Sequence, residues 1–184
     1  LTYIGGGNYQ LTPDADQSGV VTVSYSIYDG LGGVTAATAE VDFAAVNDAP
    51  VNNATPSFSG TEDVSLVVSE AALLANATDV DSSELSVSDV AIDGGSVTDN
   101  GDGTWTITPP EDADGAVTLN YVINDEHGGA TSTTATLNLA SVNDAPEAFA
   151  SPLLMGTENF TSTITTAQLL ATISDAENDA LTVS

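Results

Sequence analysis

The chain has 184 residues, 27 Asp plus Glu, one His and no Lys or Arg, so its formal charge is −27. Without a basic side chain it forms no ordinary salt bridge and offers no cationic surface, which excludes nucleic-acid binding and argues against docking on anionic lipid. Hydrophobic residues make up 41% of the chain, enough to build cores, so a disordered acidic tail is excluded too.

In chain order, Ser69-Glu70-Ala71-Ala72-Leu73-Leu74 reads as the one helical stretch, with Ser69 placed to cap its N-terminus. Gly101-Asp102-Gly103 reads as a hairpin turn between Val97-Thr98 and Trp105. Thr104 to Thr108 alternates polar and apolar with period two, as a half-buried strand does. Val117 to Ile123 does the same and puts Val117, Leu119, Tyr121 and Ile123 on one face. Thr133 to Leu139, rich in Thr and Leu, ends at a second linker, Val142 to Pro146. Short strands with turn signals between them predict a β-sandwich whose core includes Leu85, Val87, Trp105, Ile107, Leu119 and Tyr121.

An internal repeat organises these elements. Val46-Asn47-Asp48-Ala49-Pro50 recurs as Val142-Asn143-Asp144-Ala145-Pro146, an offset of 96. The same offset carries Gly60-Thr61-Glu62 onto Gly156-Thr157-Glu158, Asp79 onto Asp175, Trp105 onto Tyr9, Tyr121 onto Tyr25 and Asp125 onto Asp29. Residues 49–144 therefore read as one complete repeat, 1–48 as the C-terminal half of another and 145–184 as the N-terminal half of the next. The chain starts at Leu1 rather than Met and has no signal peptide, and it reads as a piece of something longer.

These motifs resemble the bacterial cadherin-like repeats found in tandem in giant secreted adhesins, including those of the RTX type. The Asn-Asp-Ala-Pro linker, the Ala77-Thr78-Asp79-Val80-Asp81 segment and Tyr121-x-x-x-Asp125 followed by Gly128-Gly129 carry the resemblance, which covers the whole chain. It implies an all-β fold of tandem Ig/cadherin-like Greek-key β-sandwich repeats of about 96 residues, extracellular and stiffened by Ca2+ at the repeat junctions. It also implies a structural role in cell adhesion or biofilm, as a stalk segment of an adhesin or surface filament. The linker departs from the cadherin pattern: Ala45 and Ser141 replace its leading Asp, and Ala49 and Ala145 its final Asn. One or two ions per junction are expected rather than three. The calcium-binding nonapeptide repeat of an RTX β-roll is absent.

Calcium takes six to eight oxygen ligands, and this chain supplies Asp, Glu and Asn in quantity. Cysteine is absent and His127 is alone, so thiolate and multi-His metal sites and a Ser-His-Asp triad with a spare His are not available. In a sandwich the leading linker, the Asp-x-Asp loop and the end of the Tyr-to-Asp strand meet at one pole. That groups Asn47, Asp48, Asp79, Asp81 and Asp125 at the first junction, with Asp14 or Asp16 added from the preceding half-repeat. Asn143, Asp144, Asp175 and Glu177 are the equivalents at the second junction, where Glu62, Glu111, Asp112 and Asp114 come from the complete repeat. The counterpart of Asp125 lies beyond residue 184.

Asp93 and Asp102 read as turn residues, His127 as an ordinary loop residue, and the three Asn-x-Thr sequons as chance in a Thr-rich chain. Glu111 and Asp112 lack the cleft-building insert that a carboxylate-pair glycosidase needs, so no enzyme is expected. The expected partners are neighbouring repeats or identical subunits arranged head to tail. In the head-to-tail case the two half-repeats complete each other by strand complementation. A carbohydrate- or protein-binding module is the alternative, and few insertions and 5% aromatic residues count against it.

Overall fold

The computed structural model describes residues 1–184. Its elements are β1 (Thr2–Gly5), β2 (Asn8–Gln10), β3 (Gly19–Tyr28), β4 (Val34–Phe43), β5 (Val51–Asn52), β6 (Ser57–Thr61) and β7 (Leu66–Ser69). The short helix α1 (Glu70–Leu73) follows, then β8 (Ala77–Thr78), β9 (Leu85–Ile92), β10 (Ser96–Asp99), β11 (Thr104–Thr108), β12 (Gly115–Asp125) and β13 (Ala130–Ala140). The last elements are β14 (Glu147–Ala148), α2 (Thr166–Leu169) and β15 (Ile173–Ser174). Strands hold 45% of the residues and helices 4%, so the protein is all-β.

The middle of the chain is a sandwich of two sheets. One has the order β6-β13-β12-β9 and the other β10-β11-β7. Period-two alternation turns one face of each sheet inward. The four-stranded sheet contributes Val87, Leu119, Tyr121, Ile123, Ala135, Leu137 and Leu139, and the other contributes Val68, Trp105 and Ile107, all in one core cluster. Leu85 packs at its margin, half-buried. β12 and β13 pair antiparallel over ten residue pairs, and β6 joins β13 in parallel from far along the chain.

Local chemistry sets the short elements. Ser69 accepts a hydrogen bond from the Ala72 N–H at 3.3 Å and starts α1. The turn between β10 and β11 is closed by Asp99 and Asp102, whose carboxylates accept the N–H groups of Gly101 and Thr104. Tyr121 Oη donates to the Leu73 carbonyl at 3.1 Å, which ties α1 to the centre of β12.

The two ends of the chain are built from the same parts. β1 and β2 form a hairpin, β3 and β4 form another, and β14 pairs with β15 just as β5 pairs with β8. Thr165 caps α2 in a capping box where Ser69 caps α1, at a spacing of 96. The segments 96 residues after β6 and β7 carry no strand. β6 and β7 exist by pairing with β13 and β11, and residues 145–184 have no such strands of their own to pair with.

Candidate metal sites at the two linkers

The first linker is tied to the pole of the central sandwich where β12 ends. Asn47 Nδ2 donates to Asp125 Oδ2 at 2.9 Å. The other Asp125 oxygen accepts the N–H groups of His127, at 2.7 Å, and Gly129, at 2.8 Å. Gly129 is required there, because a Cβ would collide with Asp125 Oδ2 and lie 2.9 Å from Asn47 Nδ2. The Asn47 amide, and then burial offset by the loop N–H groups, leave the Asp125 carboxyl below the usual Asp range.

The Asp-x-Asp loop meets the same linker. Asp81 Oδ2 accepts the Asp48 N–H at 3.2 Å, and Asp79 Oδ1 accepts the N–H groups of Asp81 and Ser82 at 3.0 and 2.8 Å. The Asp81 N–H foremost lowers Asp79, while the neighbouring Asp79 carboxyl, ahead of burial, pushes Asp81 up. Asp79 Oδ2 is buried without a hydrogen-bond partner. Asp14 and Asp16 of the preceding half-repeat line a cleft of about 630 Å³ together with Asp48 and Asp81. The expected first-junction residues are thus brought together, and Asp125 reaches the group through Asn47.

The second linker carries a denser cluster. One carboxylate oxygen each from Glu62, Asp144 and Glu177 lie within 4.8 Å of one another, and so do those of Asp63, Asp112 and Asp144. Glu62 is buried and accepts the Val142 N–H. Glu177 Oε2 accepts the Asp144 N–H at 3.2 Å, the same bond that Asp81 makes to Asp48 at the first linker. Burial first, then the charges of Asp63, Glu177, Asp112 and Glu62, push the Asp144 carboxyl up. Asp144 Oδ2 is buried without a hydrogen-bond partner.

Other expected residues fall at the edges of this group. Asn143 turns its amide onto the Asp144 carbonyl at 2.8 Å, and Asp175 Oδ1 accepts the Asp179 N–H at 2.8 Å. Glu111 lines the adjoining cleft of about 330 Å³, which Asp114 does not line. Asp63 is the residue that sequence reasoning missed. It sits in a turn at φ 59° and accepts the Asp112 N–H at 3.4 Å. The signal available was its place beside Glu62 in Gly60-Thr61-Glu62-Asp63, just before an apolar strand.

Both clusters suit a hard divalent cation. At the second linker carboxylate oxygens converge where no Lys or Arg exists to neutralise them, and a buried oxygen without a donor lies in each group, Asp79 Oδ2 at the first linker and Asp144 Oδ2 at the second. A bound Ca2+ would supply the missing positive charge, and Glu62, Asp63, Asp112, Asp144 and Glu177 could hold it at the second linker.

The fold and the site define a β-sandwich module flanked by acid-lined linkers. The chain belongs to the cadherin-like domain family, whose sequence profile matches residues 46–140 and again 142–184. Cadherin-like domains contact neighbouring repeats, generally bind calcium and are typically non-enzymatic. No curated protein matches the chain.

Among solved structures, human mucin-like protocadherin EC1-2 is similar at 20% identity with a TM-score of 0.43, over 76% of this chain and 78% of that one. The extracellular cadherin domains 1–5 of protocadherin gamma B2 are 20% identical at a TM-score of 0.38, over 75% of this chain and 29% of that one. An endo-fucoidan hydrolase of glycoside hydrolase family 107 is 16% identical at a TM-score of 0.36, over 77% of this chain. This chain spans 23% of that hydrolase's length. No helix is long and apolar enough to cross a membrane.

Proposed function

We propose that the chain is a calcium-stiffened stalk segment of a bacterial adhesin of the RTX-associated, Asn-Asp-Ala-Pro-linked kind, extending from a cell surface in adhesion or biofilm. Its units are residues 49–144 as a full repeat, with 1–48 and 145–184 as halves of its neighbours. One observation carries this reading: Asp144 has a buried carboxylate oxygen without a donor, amid Glu62, Asp63, Asp112 and Glu177, at a linker of a chain without Lys or Arg. Apposed carboxylates repel unless a cation sits among them. Asn47, Asp48, Asp79, Asp81 and Asp125 form the corresponding group at the first linker. Where a repeat is split, completion by a second copy continues the same line.

The mechanism is mechanical. Each ion neutralises two charges and ties a linker to loops on both sides of it. Extracellular calcium modules have a Kd of ~10⁻⁴–10⁻³ M. At a hundredfold excess over Kd, one site stabilises the bound form by ~2.7 kcal/mol, a sizeable share of a domain's ~5–15 kcal/mol. Small-angle scattering with millimolar calcium and with EDTA tests the reading. A longer maximum dimension and a narrower ensemble are expected with calcium. Equal flexibility in both conditions, with no heat of calcium binding in calorimetry, refutes it.

A further inference from the structure

The turn between β10 and β11 holds a reactive pair of residues. Asn100-Gly101 is the one Asn-Gly step in the chain. Glycine carries no side chain to hinder its own nitrogen, so an Asn side chain is most open to attack by the next backbone nitrogen at such a step. A Cβ built at Gly101 meets nothing within 4 Å. Both ends of the Asn100 amide are nevertheless held on β11. Asn100 Nδ2 donates to Thr104 Oγ1 at 2.8 Å, and Asn100 Oδ1 accepts the Thr106 hydroxyl at 3.1 Å. The Thr104 hydroxyl is aimed by Asp102, whose Oδ1 accepts it at 2.6 Å. The attacking nitrogen is engaged as well, since the Gly101 N–H donates to Asp99 Oδ1 at 2.8 Å.

The hairpin does not need Asn at this place. At an offset of 96, Ile4-Gly5-Gly6-Gly7 stands where Asn100-Gly101-Asp102-Gly103 does. β1 and β2 pair Tyr3 with Tyr9 as β10 and β11 pair Asp99 with Trp105. The φ angles are 93° and 79° at Gly5 and Gly7, and 73° and 78° at Gly101 and Gly103. The glycines set the turn, and the clamp on the Asn100 side chain is an addition to it.

We propose that Asn100 is a self-modification site, kept closed by Thr104, Thr106 and Asp99 while the hairpin is formed. When β10 parts from β11, the Gly101 nitrogen attacks Asn100 Cγ. The Gly101 proton goes to water, the side-chain nitrogen takes up a proton and leaves as ammonia, and a succinimide remains. Water then adds at either ring carbonyl and leaves Asp or isoAsp at position 100. No other reactant is used. In the closed hairpin, loss of the Gly101 proton would set an anion against the Asp99 carboxylate, and freeing the Asn100 amide would break two hydrogen bonds.

The product does not rebuild the clamp. A carboxylate has no N–H for Thr104 Oγ1, and it adds charge between Asp99 and Asp102 in a chain without Lys or Arg. The isoAsp form also lengthens the backbone next to the Asp99–Trp105 pair. The Gly103 carbonyl accepts the Glu70 N–H at 2.9 Å, so the change reaches the start of α1. An opening that reacts is therefore recorded in the covalent structure.

The test follows Asn100 in the 184-residue chain in neutral buffer with EDTA. Cleavage after Glu releases residues 85–111, in which Asn100 is the only Asn, and mass spectrometry with chromatography separates the Asn, Asp and isoAsp forms. The free peptide 85–111 is the unclamped reference. The folded chain should react about a hundredfold more slowly than the peptide, and Thr104→Val and Thr106→Val should each raise the folded rate about tenfold. Where Thr104→Val fails to fold by Trp105 fluorescence, Thr106→Val carries the test, because it leaves the Thr104–Asp102 bond in place. Leu137→Ala, which weakens the core in the other sheet, should leave the rate unchanged, so a general loss of stability is told apart from loss of the clamp. Asn100→Gln, whose longer side chain does not close the same ring, should remove the signal. A folded chain that reacts as fast as the peptide overturns the clamp, and so do threonine variants that react no faster than the native chain. None of these outcomes bears on the calcium reading, since no residue of either linker takes part.

Discussion

At the scale of single residues, charge does two opposite things depending on whether a metal is present. Glu62 is buried, bonded to the Val142 N–H and grouped with Asp144 and Glu177. Glu62→Gln keeps an acceptor oxygen for Val142 and removes one negative charge. In EDTA the variant should melt above the native chain, because repulsion with Asp144 and Glu177 is relieved. In calcium the order should reverse, with affinity at the second linker about tenfold weaker, equivalent to about 1.4 kcal/mol. Calorimetry and thermal melts in the two buffers check it, and the same sign in both would refute a metal role for Glu62. Asp29 gives a pH counterpart. The Leu31 N–H, and then that of Gly33, lower its carboxyl from the usual Asp range. A lowered folded value means the turn favours the ionised form. Its stabilisation is present above the unfolded-state value and is lost as pH falls through the folded one. The Leu31 and Gly33 amide resonances should titrate together, with a midpoint below that of an unfolded peptide. Asp29→Asn should abolish the transition.

At the scale of elements, the same side chain costs different amounts depending on what covers it. Leu137→Ala opens a cavity between two sheets and should cost ~2–5 kcal/mol in urea unfolding followed by Trp105 fluorescence. Val41→Ala, 96 residues away on a hairpin whose inward face is exposed, should cost less than ~1 kcal/mol at concentrations where the chain is monomeric. Equal costs would mean that the hairpin face is covered in solution. The same distinction decides what could be read from the sequence. Ser69 at the start of α1 and the Gly101–Gly103 turn were legible because their hydrogen bonds reach only a few residues. Trp105, Ile107, Leu119 and Tyr121 were legible through period-two alternation. The parallel pairing of β6 with β13 was not, since no local pattern records a partner some 80 residues on. Among the acidic residues, Asp79, Asp81 and Asp125 stood out by their spacing in recurring motifs. Asp63 did not, because its counterpart is Asn159 and its role comes from a turn that faces Asp112 across the pole.

At the scale of the whole molecule, 27 acidic residues without a basic partner make the ionic medium part of the structure. Monovalent and divalent salts act differently on such a chain. Sodium chloride shortens the Debye length from ~10 Å at 0.1 M to ~3 Å at 1 M and weakens repulsion everywhere, with no preferred geometry. Calcium ligated at a linker fixes the directions of several oxygens at once. In EDTA, raising sodium chloride to 1 M should therefore lift the melting temperature of the central sandwich by a few degrees while leaving the scattering dimension unextended. Millimolar calcium in low salt should do both, because the clusters at Asp48–Asp81 and Glu62–Asp144–Glu177 each span a linker and the loops beside it. Magnesium separates charge from coordination, since it carries the same charge but demands near-octahedral geometry and gives up its water reluctantly. It should raise the melting temperature less than calcium and extend the chain less. If sodium chloride alone lengthened the particle as far as calcium does, screening would suffice and no ion would need to be held.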